Sequence, residues 1–411
     1  MSKKFIPAYL LTFVNVLGFS ILMPVLPFVV ESYGAPEWVY GLLLTFYSAF
    51  QFIGAPYLGA LSDERGRKPI LLISQAGTLL SWLIFIIALA LPETPFLGLA
   101  LPLWIIGISR ILDGITGGNT SVANAYVSDI TTKQEKAYIF GYLGGIAGLG
   151  MIIGPGIGGF AASSSLGYTG TLIAATVISI ITLIVIFAWL KESLPSEKRN
   201  ANKHRSMIGN ILVWKRIKEV QPAPIVKLIF TMKLLFSIMM AFYIATIALF
   251  LIDLFKFNEK ELGTFMLVVG IFLSFNQAFV SRRFIRKFGV GKTLIIGLCL
   301  ALCGLICITL TNNLWFYIAF YYVMNLGLSL CFPTFNSLIS THANPQKQGE
   351  IMGISESINS FAMAAFPVIA AALYGLFGFY IYYAVAVLPL AALIIALKYR
   401  STLLVDSPEK S

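Results

Sequence analysis

The sequence predicts an all-α membrane protein with twelve transmembrane helices in two six-helix bundles, and three observations support this fold class. First, 58% of the 411 residues are hydrophobic and only 11% are charged, whereas about a quarter of the residues of a soluble domain are charged. Second, apolar stretches of about 20 residues, long enough to cross a bilayer, recur along the chain. Third, one long polar stretch divides these segments six and six.

The apolar stretches are continuous rather than alternating, which indicates helices and not the strands of a barrel. The first stretch is too long for a signal peptide and contains Pro24 and Pro27, so it is interpreted as the first span. The predicted spans are 5–31, 38–60, 70–91, 98–126, 137–161, 168–190, 225–253, 261–281, 293–311, 314–340, 350–377 and 379–397.

Basic residues give the predicted orientation, because basic loops remain on the cytoplasmic side. With both termini cytoplasmic, 25 of the 29 Lys and Arg residues fall in cytoplasmic segments, and only Lys256 and Lys260 fall in external loops. The net charge of +11 is then a positive-inside pattern and not a nucleic-acid-binding surface. We expect a multi-pass protein of a bacterial inner membrane that is a monomer.

The polar stretch predicts the domain organisation. An N-terminal bundle over 1–191 precedes a cytoplasmic linker over 192–224 and a C-terminal bundle over 225–411. Within the linker, an amphipathic helix lying on the membrane surface is suggested by apolar residues at Ile211, Leu212, Trp214 and Ile217.

The turn between the second and third spans contains a glycine-rich, charged motif. Its residues include Gly59, Asp63, Arg65, Gly66, Arg67 and Lys68. This turn resembles the signature loop of the major facilitator superfamily, although that family usually has an arginine where this chain has Glu64. An aspartate here can accept bonds from amides at a helix start, and arginines can bind carbonyls at helix ends. The resemblance implies that the turn makes contacts between the two halves in one conformation of the transporter and loses them in the other. The alternative is a basic cytoplasmic loop without this role.

The fifth span is rich in glycine and contains one proline. Its main positions are Gly154, Pro155, Gly158 and Gly159. Glycine lets helix backbones approach closely, and a proline can bend the helix. The segment resembles the fifth-helix motif of antiporters in the same superfamily, which implies a smooth surface that slides or rocks. Ordinary packing of small residues is the alternative.

Two further motifs narrow the resemblance to the drug and proton antiporter branch. Leu17-Gly18 with Pro24 and Pro27 matches its first-helix pattern, and the run from Arg110 to Gly114 with Gly117-Gly118 matches its fourth-helix pattern. Over residues 10–160 the chain resembles tetracycline exporters. Those exporters have acids in the first, third and ninth helices, where this chain has Asn15, Ser81 and no acid, so recognition of a drug–magnesium chelate is not expected.

Arg110 and Asp113 are predicted to form an ion pair near the middle of the membrane. They are three residues apart and so share a helix face, and a charge at this depth is costly and usually functional. Protonation of Asp113 would free Arg110 to bind another anionic group, which makes the pair a candidate proton switch. A permanent structural ion pair is the alternative.

Lys233 and Glu356 are the other charges within spans, at similar depth in the seventh and eleventh. We predict that they pair; the alternatives are a lysine that extends to the headgroups and a Glu356 that binds Arg65 or Arg67. Glu356 is also a candidate for proton coupling.

Polar side chains within the spans are the candidates for lining a substrate cavity. Besides Arg110 and Lys233, they are the amides Asn15, Gln51, Asn119, Asn124, Asn276, Gln277, Asn325, Asn336 and Asn359.

Other chemistry is not expected. Gly289 to Thr293 ends like a phosphate-binding loop but lacks the first glycine of that motif, so no nucleotide is expected. Neither a metal nor another cofactor is predicted.

The sequence therefore predicts a proton-coupled exporter of a small amphipathic drug or metabolite, with protons and the small molecule as its partners. The alternatives are import or exchange of an anionic metabolite or siderophore and, more remotely, a membrane sensor or embedded enzyme.

Overall fold

The computed structural model describes residues 5–132, 135–195, 197, 199, 220–343 and 347–401. The prediction of an all-α membrane protein is confirmed for these residues. Their one β pairing joins Pro95–Phe96 (β1) to Leu99–Ala100 (β2) in a connection between two spans.

The first six spans are built from eight helices. They are α1 Ile6–Ser20, α2 Leu26–Ser32, α3 Glu37–Arg65, α4 Arg67–Ala90, α5 Leu101–Gly117, α6 Thr120–Asp129, α7 Lys136–Ala162 and α8 Gly167–Trp189.

The last six spans are built from seven helices and a π-helical segment, Asn276–Val280. The helices are α9 Pro224–Phe255, α10 Glu259–Phe275, α11 Ser281–Phe288, α12 Val290–Cys307, α13 Leu314–His342, α14 Gln348–Phe377 and α15 Ile381–Lys398. Within the described chain, nine helical stretches are long and apolar enough to cross a bilayer; the stretch Glu350–Lys398 contains two predicted spans. The first span contributes the shorter apolar helix α1, and the fourth span is made of α5 and α6.

Two spans predicted as continuous are broken. In the first, α1 ends at Ser20 and α2 begins at Leu26, because Pro24 and Pro27 lack the N–H that a continuous helix requires. The fourth is interrupted after Gly117. There a Cβ on Gly118 would overlap Ala55 N of α3, so only glycine permits this close approach.

The turns after the second and eighth spans have the same construction. In each, one glycine with positive φ, Gly66 (φ 100°) or Gly289 (φ 79°), separates two helices. After the eighth span, Arg286 and Lys287 lie in the last turn of α11, where the helix C-terminus favours positive charge.

Contacts divide the described chain into two compact units. One contains the residues up to 199 together with Phe257–Leu267, and the other contains 220–256 and the residues from Val268 onward. The start of α10 joins the first unit through close packing on the glycines of α7, where a Cβ on Gly159 would overlap Glu259 O. The suggested amphipathic linker helix lies outside the described residues.

Candidate functional site

The predicted pair of Arg110 and Asp113 is present on α5. Arg110 Nη1 lies 3.2 Å from Asp113 Oδ2, and the side chains are only 3% and 5% exposed. Their three-residue spacing places both on one face of the helix. Because neither charge is solvated by bulk water, removal of one partner would leave the other costly to bury.

Aromatic rings and hydroxyls surround this ion pair. The guanidinium carbon of Arg110 lies 4.9 Å from the ring centroid of Trp82 and 5.5 Å from that of Phe85, distances at which a cation is attracted by the ring face. The hydroxyls of Thr78 and Ser81 interact with the Asp113 carboxyl. Arg110 Nε and Nη2 are buried and have no hydrogen-bond partner among the described residues.

Asp113 borders a small recess in the first unit. The recess is lined by Val14, Asn15, Gly18, Phe19, Tyr47, Thr78, Trp82, Asp113, Gly117 and Ser179. It has room for about one water molecule beside the carboxyl, and Arg110 is not part of its lining.

Three of the predicted cavity amides collect beside this recess, at the break between α5 and α6. Asn15 Nδ2 donates to Asn119 Oδ1 over 2.5 Å, and Gln51 Nε2 donates to Tyr47 Oη (3.1 Å) and Gly117 O (3.3 Å). The amides thus bind side chains and a carbonyl that the helix break exposes. Asn119 Nδ2 is buried without a partner in the described part of the chain.

Asn124 does not join this group, since it lies farther along α6 with an exposed side chain.

Arg67 organises the signature turn, but the contacts of this turn differ from those predicted. Arg67 Nη1 lies 2.7 Å from Asp63 Oδ1 and donates to Ser62 Oγ over 2.6 Å, and Arg67 Nε donates to Asp129 Oδ2 over 3.0 Å. Among the described residues, Asp63 pairs with Arg67 and accepts no bond from an amide at a helix start. Lys68 Nζ, not an arginine, binds a carbonyl near a helix end, Phe187 O, over 2.9 Å.

Glu192 caps the start of α4, a role that no pattern in the sequence indicates. Its carboxylate accepts from Arg67 N (2.9 Å) and Lys68 N (3.1 Å) and also from the amides of Ser193 and Leu194 (3.0 Å each). Burial raises the pKa of the Glu192 carboxyl, but the four amide donors lower it more, so its pKa lies below the ordinary value of 4.5. Its distance of more than 120 residues from Arg67 left no sequence signal.

The glycines of α7 serve close packing on two faces. A Cβ on Gly154 would overlap Ser20 Oγ, and one on Gly158 would overlap Ile21 O, at the end of α1. On the other face, a Cβ on Gly156 would overlap Leu267 Cδ1 of α10. Pro155 lies inside the helix, which continues through it. Both contacts occur within the first unit.

The predicted pair of Lys233 and Glu356 is present in the second unit, on α9 and α14. Lys233 Nζ donates to Ser355 Oγ over 2.5 Å, to Asn336 Oδ1 over 3.2 Å and to Glu356 Oε1 over 3.5 Å. Lys233 is only 8% exposed, whereas the Glu356 side chain is 63% exposed. The pair therefore joins a buried lysine to a largely exposed carboxylate.

Asn276 and Asn325 bind each other inside the second unit. Asn276 Nδ2 donates to Asn325 Oδ1 over 3.5 Å, and Tyr322 Oη, which the sequence analysis missed, donates to Asn276 Oδ1 over 3.1 Å. Asn276 begins the π-helical segment. Gln277 is exposed and Asn359 half-buried, so these four predicted cavity amides do not form one cluster.

Known proteins resemble this chain over nearly its whole length. A tetracycline resistance protein, class H, of Pasteurella multocida is 29% identical, with 91% of this chain and 90% of the relative covered. The quinolone resistance protein NorA of Staphylococcus aureus (strain MSSA476) is 24% identical, with coverage of 91% and 90%. Among solved structures, the human organic anion transporter MFSD10 superposes with a TM-score of 0.70 at 22% identity, over 96% of this chain and 98% of that one.

The sequence profile that describes the Major Facilitator Superfamily matches residues 8–367 and, in a second match, 280–411. Two bundles of six spans, the glycine turns between helices and the polar groups within the spans agree with that match. The chain therefore belongs to the Major Facilitator Superfamily.

Proposed function

We propose that this chain exports a small amphipathic drug or metabolite by alternating access, coupled to the entry of protons. Membership of a transporter superfamily makes it a transporter and not an enzyme. The observation that carries the proposal is the buried pair of Arg110 and Asp113, whose carboxyl borders a small recess. Named relatives that act in tetracycline and quinolone resistance support export as the direction.

The proposed switch depends on a change of charge at Asp113. While Asp113 is ionised, it neutralises Arg110; when a proton from the recess neutralises Asp113, the guanidinium loses its carboxylate partner and attracts another acceptor. That change of partner gives the two protonation states different favoured contacts, which is what coupling requires. Glu356, whose side chain is 63% exposed in the other unit, is proposed as a second residue for proton coupling.

The proposal also covers the location, orientation and domain organisation of the protein. We place the protein in a bacterial inner membrane as a monomer with both termini in the cytoplasm, in agreement with the positive-inside pattern. The bundles would span 1–191 and 225–411, joined by the linker over 192–224.

The test is flux into proteoliposomes whose lumen is acidic. An exporter reconstituted in both orientations accumulates an amphipathic drug probe in that lumen, because protons leaving the lumen drive the probe inward. Asp113→Asn should abolish this accumulation and spare probe-for-probe exchange, since only proton release is blocked. Glu37→Gln, which changes an exposed carboxylate at the start of α3, is the control. Normal accumulation by Asp113→Asn would contradict the coupling role.

Exchange or import of an anionic metabolite is the second candidate. It is favoured by the buried Nε and Nη2 of Arg110, which have no partner among the described residues, because a carboxylate can accept from both nitrogens. This candidate predicts accumulation of an anionic probe in an alkaline lumen, since protons then enter together with the anion. The direction of flux against the pH gradient separates the two functions.

A further inference from the structure

The ammonium of Lys233 is saturated by its neighbours in the second unit. A lysine side chain has three N–H donors and no acceptor, and three oxygens accept from Lys233 Nζ: Ser355 Oγ, Asn336 Oδ1 and Glu356 Oε1. The lysine is only 8% exposed. It therefore has no donor left for a ligand, although the sequence placed it among the cavity residues.

Lys233 fixes the orientation of the Asn336 amide. An asparagine amide can face a neighbour with its oxygen or with its nitrogen, and the hydrogen-bond network decides between them. Because the ammonium only donates, the oxygen of Asn336 must face it, and the NH2 group points away. Asn336 is exposed, and its NH2 group has no partner in the described part of the chain.

Lys233 leaves one carboxylate oxygen of Glu356 available to bind a ligand. The distance of 3.5 Å between Lys233 Nζ and Glu356 Oε1 is the longest of the three contacts, and Oε2 accepts from none of the described residues. An ionised side chain facing lipid at this depth would be costly, so the 63% exposed Glu356 side chain belongs on a face that meets water. Glu356 and Asn336 both accept from Lys233 Nζ. The second carboxylate oxygen of Glu356 and the NH2 group of Asn336 therefore lie next to each other.

We propose that Glu356 and Asn336 form a substrate-selecting site for a protonated amine that carries a hydroxyl or carbonyl nearby. Glu356 accepts from the ammonium of the ligand, Asn336 donates to its oxygen, and Lys233 is a positioning residue. An apolar body fits the same surface, because Phe332 lies one turn from Asn336 on the same face of α13 and packs against Phe236 with ring centroids 5.4 Å apart. This inference deepens the proposed export function and rests on it for the role of substrate.

The test uses full-length protein in detergent and three probes: an aryl amino alcohol, its deoxy analogue and its N-acetyl derivative. Equilibrium binding is measured by titration calorimetry. Each lost contact should weaken binding about tenfold, the usual effect of losing a hydrogen bond to a charged or buried group. The wild-type protein should therefore bind the amino alcohol more tightly than either analogue.

The variants separate the roles of the three residues. Glu356→Gln should remove the preference for the charged amine, and Asn336→Ala should remove only the preference for the hydroxyl. Lys233→Met should weaken binding of the corresponding amino ketone, whose oxygen can only accept, because the amide can then turn its own oxygen toward the ligand, and Lys233→Arg, which also only donates, should restore that binding. Glu350→Gln, an exposed acid in the first turn of the same helix α14, should change no ratio.

Equal binding of the three probes by the wild-type protein, or unchanged ratios in Glu356→Gln and Asn336→Ala, would overturn the site. So would the absence of binding by protein that still performs gradient-driven export. Asp113→Asn separates this test from the test of function, because it should lose gradient-driven flux while it keeps the probe preferences. Selective binding without any gradient-driven flux in the wild type would refute export and retain the site.

Discussion

The two units each contain one basic and one acidic residue paired within their spans, but the pairs differ in burial. Arg110 and Asp113 are 3% and 5% exposed and adjacent on one helix. Lys233 is likewise buried, yet its partner Glu356 is 63% exposed and belongs to another helix. The first pair is mutually dependent, since both side chains are almost completely enclosed by protein. In the second pair, Glu356 is largely exposed, and Lys233 also donates to Ser355 and Asn336.

This difference in burial changes what each pair can do. A buried charge that loses its partner must bind another group of opposite charge or become neutral itself. Protonation of Asp113 therefore changes which contacts Arg110 favours. An exposed charge that loses its partner is solvated. We infer that the first unit is suited to sensing protons and the second to presenting a binding surface.

Matched substitutions of the two basic residues should give the largest contrast. Arg110→Met strands a buried Asp113 and should lower the free energy of unfolding by about 3–5 kcal/mol at neutral pH, the usual cost of breaking a buried pair. Lys233→Met leaves Glu356 in water and should cost about 1 kcal/mol or less from the pair itself. Unfolding in mixed micelles with increasing dodecyl sulfate measures both. Equal losses would contradict the contrast in burial.

A double-mutant cycle sharpens the contrast for the second pair. From the sequence, Glu356→Gln alone would be expected to be worse than the double change with Lys233→Met, because it strands the lysine. The structure reverses this expectation, since Ser355 and Asn336 still accept from Lys233 and a glutamine oxygen can replace the carboxylate. The coupling energy should be below about 0.5 kcal/mol, as for exposed ion pairs.

The same unfolding assay measures that cycle, with Ser355→Ala as a positive control that removes the 2.5 Å contact to Lys233. A single change Glu356→Gln that is more damaging than the double change would restore the expectation from the sequence.

Features that depend on local residue spacing or hydropathy, such as the spans and the pair on α5, could be predicted from the sequence. Twelve apolar stretches gave the spans, and a three-residue spacing gave the pair on α5. The helix breaks were missed because apolar content does not register a proline or glycine that interrupts backbone bonds. Ser355 and Glu192 were missed because tertiary packing alone brings them to Lys233 and to the start of α4, and no sequence pattern reports the exposure of Glu356.

Glu192 extends the comparison to a charge at the end of a helix. Glu192→Gln should destabilise the protein by about 1 kcal/mol at neutral pH, because a neutral acceptor interacts less with the positive N-terminus of α4, and partial exposure weakens the effect. The folded-state pKa lies below the ordinary value of 4.5. The stability from this carboxylate is therefore present above pH 4.5 and is lost as pH falls through the folded-state pKa.

Unfolding of the wild type and of Glu192→Gln across the acidic range measures this effect. The difference between the two proteins should shrink as pH falls below 4.5, and Glu197→Gln, which changes a nearby exposed acid, should show no such trend. A difference that stays constant down to low pH would exclude the capping role.

The smallest expected effect compares the two single-glycine turns. Gly66→Ala and Gly289→Ala both place a side chain at positive φ with an extended ψ, a conformation adopted almost only by glycine that costs about 1–3 kcal/mol for another residue. A Cβ at position 66 would in addition meet Glu192 Oε2 at 2.5 Å and Arg199 Nη2 at 2.9 Å, whereas nothing lies within 4 Å of one at position 289. Because both obstacles are ends of flexible side chains, we expect Gly66→Ala to be the more destabilising by only about 1 kcal/mol.

Adding Glu192→Ala to each glycine variant shows where that difference arises. The second change removes the nearer of the two side chains that the new Cβ would meet at position 66, so most of the extra cost of Gly66→Ala should disappear. The cost of Gly289→Ala should stay the same, because no atom lies within 4 Å of a Cβ at that position. An extra cost at position 66 that survives the loss of Glu192 would mean that the two glycine turns, despite their similar backbones, differ in strain rather than in their neighbours.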